Sequence, residues 1–73
     1  MTKHAVLKKI IAVLTTSKPK AKDYCYGYIV ALVDAGYLSQ SEYDYLRDTV
    51  ALWRKGDTVS GMIIPHSFRE ENP

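Results

Sequence analysis

The sequence predicts a small all-α domain: three helices followed by an irregular C-terminal segment. Three observations carry this expectation. Apolar residues recur at helical spacing in three separate stretches, and that periodicity fails after Gly56. The third observation is the junction between the second and third stretches. There Gly36 closes an apolar-periodic run, where a chain leaving a helix needs a left-handed residue. Ser39 and Glu42 follow with the Ser-x-x-Glu spacing of a capping box, in which the Ser side chain accepts from the amide three residues on and the Glu reaches back. Tyr37 and Leu38, caught between the two caps, must turn inward.

The first helix is capped by Thr2 and carries Val6, Leu7, Ile10, Ile11, Val13 and Leu14 at helical spacing. Pro19 bars Lys18 from helical geometry, so this helix is expected to stop near Thr15 or Thr16. The second runs from about Lys22 to Ala35, with Cys25, Tyr28, Ile29, Leu32 and Val33 as its inner stripe. Gly27 costs ~1 kcal/mol in mid-helix relative to Ala, which points to a close helix crossing there. The third runs from Gln40 to about Lys55 with the stripe Tyr43, Leu46, Val50 and Trp53. Arg54 and Lys55 would suit its C-terminal dipole, and Gly56 would end it. Residues 1–56 therefore read as the helical domain and 57–73 as a tail. Either Met62–Ile64 and Phe68 fold back over the helices, or the tail is mobile and docks on a partner.

Seventy-three residues are near the lower limit for folding without disulfides or metal, and the net stability of such a core is only ~3–5 kcal/mol. The lone Cys25 excludes an internal disulfide and fits a reducing, cytoplasmic compartment. No apolar run is long enough to span a membrane, and Lys8 and Lys9 interrupt the only stretch that could imitate a secretory signal. His4, Cys25 and His66 have no ligand spacing, which speaks against zinc. No Ser or Cys is accompanied by a base and an orienting group, and the glycines are not arranged to cradle phosphate. The expectation is a non-enzymatic protein without cofactor or small-molecule substrate.

Charge is the informative feature. The net charge is +2, but residues 1–22 carry six Lys and no acid, whereas residues 23–73 carry four basic and eight acidic side chains. Lys3, His4, Lys8, Lys9, Lys18, Lys20 and Lys22 are thus the candidate partner-binding residues, facing either an acidic protein surface or phosphates. The bland alternative is a solubilising face. A helix-turn-helix reading fails on particulars. With Gly36 as the turn glycine, Leu32 stands where a small residue is wanted and Glu42 where Val or Ile should face inward. Glu42, Asp44 and Asp48 would also oppose the phosphates. Tyr24, Tyr26 and Tyr28 cannot all enter so thin a core, so at least one ring should be exposed, while Trp53 completes the third stripe and reads as core.

Two resemblances add to this. The stretch Leu32-Val33-Asp34-Ala35-Gly36-Tyr37-Leu38-Ser39-Gln40-Ser41-Glu42-Tyr43-Asp44-Tyr45-Leu46 resembles the short two-helix C-terminal modules that mediate protein association. In length, in its lysine-bearing start Met1-Thr2-Lys3-His4-Ala5-Val6-Leu7-Lys8-Lys9 and in its lack of a catalytic set, the whole chain resembles small phage-encoded host-takeover factors that bind bacterial RNA polymerase. That resemblance implies engagement of the β and β′ subunits near the RNA exit path, inhibition of initiation through displacement of σ factor, and suppression of termination (antitermination). It implies the host cytoplasm as the compartment, and it brings no individual residue role. The expected function is therefore transcription regulation by polymerase binding. The alternatives are a nucleic-acid-binding accessory protein using the basic N-terminal helix, or a self-associating module.

Overall fold

The computed structural model describes residues 2–58 and 63–70. Its helices are α1 (Lys3–Leu14), α2 (Ala21–Asp34) and α3 (Gln40–Leu52), and a 3-10 turn, His66–Phe68, follows them. The protein is a small all-α three-helix domain with an irregular C-terminal segment. α2 packs against both α1 and α3, and the C-terminal turn lies on α1. The shortest dimension of the molecule is 19 Å, close to two helix diameters. Only one layer of side chains fits between the helices.

Local chemistry sets each helix end. Thr2 accepts from the Ala5 amide at 3.1 Å and starts α1. Beyond Leu14 the Thr15 and Thr16 hydroxyls donate back to Ala12 and Val13 carbonyls, and Ser17 turns the chain with φ +56°. α2 starts at Ala21 with no side-chain cap. It ends in a Schellman motif: Gly36 has φ +78°, the Tyr37 amide donates to Leu32 O at 3.0 Å, and the Gly36 amide donates to Val33 O at 3.1 Å. α3 opens with the expected capping box. The Glu42 amide donates to Ser39 Oγ at 3.2 Å, and the Ser39 amide donates to Glu42 Oε1 at 2.8 Å.

Val6, Leu7, Ile10 and Leu14 of α1 meet Cys25 and Ile29 of α2, Leu38 of the junction, and Leu46, Val50 and Trp53. Leu38 is buried and Tyr37 half-buried, as their position between the caps requires. Cys25 is a buried free thiol whose Sγ donates to Ile10 O at 3.8 Å, and burial raises its pKa. The fully buried Phe68 joins this core with its ring 5.3 Å from that of Tyr45. Phe68 therefore takes the folded-back course, with Ile64 half-buried against the core, whereas Ile63 is 92% exposed. The expectation for Met62 lies outside the described residues, as do residues 59–61 and 71–73.

Two expectations are corrected. α3 ends at Leu52, not near Lys55, because Trp53 adopts an extended backbone (φ −64°, ψ 131°) that keeps its indole in the core. Arg54 and Lys55 consequently leave the helix. Instead, residues 54–57 form a turn in which the Asp57 amide donates to Arg54 O at 2.9 Å, the Arg54 amide donates to Asp57 Oδ2, and Gly56 supplies φ +92°. Gly27 is not a helix-crossing point either. It is exposed, and a Cβ there would meet nothing within 4 Å.

Candidate interaction face

The basic head divides into cations the fold uses and cations it leaves outward. Lys3, in the first turn of α1, places Nζ 2.8 Å from both carboxylate oxygens of Glu42 and 5.7 Å from the centre of the Tyr37 ring. Burial by itself would raise the Glu42 pKa. The Lys3 ammonium, the Ser39 amide and the Ser67 and Ser39 hydroxyls outweigh it and hold the carboxyl at about 2. This one carboxylate therefore ties together the N-termini of α1 and α3 and the C-terminal turn. His4 belongs to the same structural knot: its Nδ1 donates to Phe68 O at 3.0 Å, since a carbonyl only accepts. Lys22, on α2, donates to Ala51 O at 3.2 Å, satisfying a carbonyl in the last turn of α3.

Three of the seven sequence candidates, Lys3, His4 and Lys22, are thus bound into the scaffold. The remaining four, Lys8, Lys9, Lys18 and Lys20, are exposed and make no ion pair among the described residues. They lie along α1 and the α1–α2 connection. Their long stems keep hydrated ammonium groups far from the core, the arrangement that attracts acidic surfaces at a distance. Lys9 also reaches α2, where its Nζ lies 5.8 Å from the centre of the Tyr24 ring.

Of the three tyrosines opening α2, Tyr24 is the exposed one, at 51%, while Tyr26 and Tyr28 are half-buried. Its ring stacks on Tyr28, centroids 6.4 Å apart and planes 18° apart. Sequence reasoning required an exposed ring here without identifying which. The i,i+4 row through Lys20 and Tyr24 also holds the half-buried Tyr28, so no local pattern in the sequence selects Tyr24.

The exposed row of α3 has different chemistry. α3 presents Asp44, Arg47 and Asp48, with Arg47 3.7 Å from Asp44 and 3.5 Å from Asp48 and its guanidinium over Tyr43. A recognition helix would meet phosphate with this row, and its carboxylates would repel the backbone. Among the described residues there is no group of three His, Cys, Asp or Glu able to hold a metal ion, and no helix long and apolar enough to cross a membrane.

Comparison of the chain with protein-family models, with curated proteins and with solved structures finds no match.

Proposed function

We propose that the chain is a non-enzymatic regulator of bacterial transcription that docks on an acidic surface of host RNA polymerase, at the β and β′ subunits. One observation carries the reading. Lys8, Lys9, Lys18 and Lys20 stand outward on a part of the chain that has no acidic residue from 1 to 22, while the fold's own carboxylates engage Lys3 and the α3 arginine. These four ammonium groups are the contact set; Lys3, His4 and Lys22 hold the scaffold that presents them. Binding of this kind is steered by charge, fast at low salt and slowed as salt rises. The expected consequences are inhibition of initiation and suppression of termination, as the resemblance to phage host-takeover factors implies.

Transcription in a purified system tests this. On a template with a promoter and an intrinsic terminator, wild-type protein lowers the number of initiated transcripts and raises the read-through fraction. Lys8→Glu/Lys9→Glu does neither. A double variant as active as wild type removes the basic face from the mechanism, and a wild-type protein without effect removes the reading.

A second reading, contact with a phosphate backbone, uses the same four lysines, because α1 carries no carboxylate to oppose it. It predicts affinity for bare RNA or DNA that falls steeply with salt. NMR titration with either nucleic acid, showing no amide shifts on α1, eliminates it.

A further inference from the structure

We infer that Tyr24 is the aromatic anchor of the docking face, inserted into an apolar recess on the partner whose rim is acidic. The inference rests on the polymerase-docking reading and adds what it lacks, a source of residence time. Lysines accelerate encounter, but exposed ion pairs are worth little once formed. Tight interfaces concentrate their energy in a few aromatic or Arg side chains near the centre, surrounded by a polar rim. Tyr24 has that placement. Lys20 precedes it by one helical turn, and Lys9 reaches over its ring from α1.

The ring is also held in advance. Stacking on Tyr28 at 6.4 Å and the Lys9 contact at 5.8 Å restrict it before any partner arrives. Ordering on binding therefore costs little, which is the general route by which a small contact gains affinity. Asp23 is the nearest carboxylate in sequence, but successive residues point about 100° apart around a helix, so it projects to a different side of α2. The charges grouped about the ring are positive. An acidic protein surface matches them, and a hydroxyl at the ring's tip suits a recess with a polar floor.

The test separates arrival from departure. Core RNA polymerase is immobilised, and wild type, Tyr24→Ala, Tyr24→Phe and Lys8→Glu/Lys9→Glu are passed over it at low and moderate salt. Tyr24→Ala should dissociate about 30-fold faster, with association rate and salt dependence unchanged. Tyr24→Phe should stay within about threefold of wild type, because the ring supplies most of the contact. The lysine variant should instead lose association rate. The half-exposed ring makes Tyr24→Ala compatible with folding, and its thermal midpoint should stay within about 4 °C of wild type.

If Tyr24→Ala dissociates like wild type while the lysine variant is weakened, the anchor is overturned and the polymerase reading stands. If wild type does not bind at all, the reading falls and the anchor with it. If bare RNA binds more tightly than polymerase and Tyr24→Ala abolishes that binding, the ring stacks on bases, and the protein recess is overturned.

Discussion

Glu42→Gln isolates the charge of the Lys3–Glu42 contact from its shape. The substitution keeps a side-chain oxygen for the Ser39 amide, which Glu42 now satisfies at 2.8 Å. It removes the anion that meets Lys3 Nζ at 2.8 Å through both oxygens. A carboxyl lowered from 4.5 to about 2 represents about 3 kcal/mol at 1.36 kcal/mol per pH unit. The side chain is 11% exposed, and solvent screening reduces the figure to about 2–3 kcal/mol. Because the folded pKa is the lower one, this stability is present above about pH 4.5 and is lost as pH falls through about 2. Urea unfolding followed by circular dichroism, repeated across that range, measures it. Wild type should exceed Glu42→Gln by about 2–3 kcal/mol near neutrality, and the difference should shrink steadily towards pH 2. A difference that stays constant with pH would refute the charge-based account of the knot.

Other positions give independent checks. Trp53→Ala and Phe68→Ala each remove a ring from the core and should cost ~3–5 kcal/mol, enough to abolish cooperative thermal unfolding in a domain this small. For Phe68 that outcome would show that the C-terminal turn is part of the folding unit. Gly27→Ala should stabilise by ~0.5–1 kcal/mol, since the site is open and mid-helical, whereas Gly36→Ala should destabilise by ~1–2 kcal/mol because φ is +78°. Chemical denaturation of the two variants should therefore move in opposite directions. The Tyr45 hydroxyl is buried and has no hydrogen-bond partner among the described residues. Tyr45→Phe should accordingly raise the denaturation midpoint, by the equivalent of ~1 kcal/mol.

What was legible in the sequence is what short-range chemistry writes. The Gly36 Schellman end, the Ser39–Glu42 capping box and the Thr2 cap depend on residues within a few positions, and each lies where the pattern puts it. Contacts across the chain were not legible. Lys3 and Glu42 are 39 residues apart, and no local pattern says that the capping-box carboxylate will also take the first lysine. The same is true of Lys22 on Ala51 O and His4 on Phe68 O. Counting lysines therefore gave a larger basic face than the fold leaves exposed. The end of α3 was misplaced because helix propensity through Arg54 and Lys55 competes with the demand that Trp53 reach the core, and tertiary burial wins. A glycine in mid-helix suggests close packing, yet the surroundings of Gly27 are open, so composition alone does not reveal what a glycine serves.

The most direct test of the central claim measures the association rate of wild type and Lys8→Glu/Lys9→Glu with bacterial core RNA polymerase as salt is raised. Wild type should associate quickly and slow with salt, and the variant should associate about tenfold or more slowly at low salt with a flatter salt response. Equal rates for both proteins at every salt concentration would contradict the claim that these outward lysines are the surface by which the protein is received.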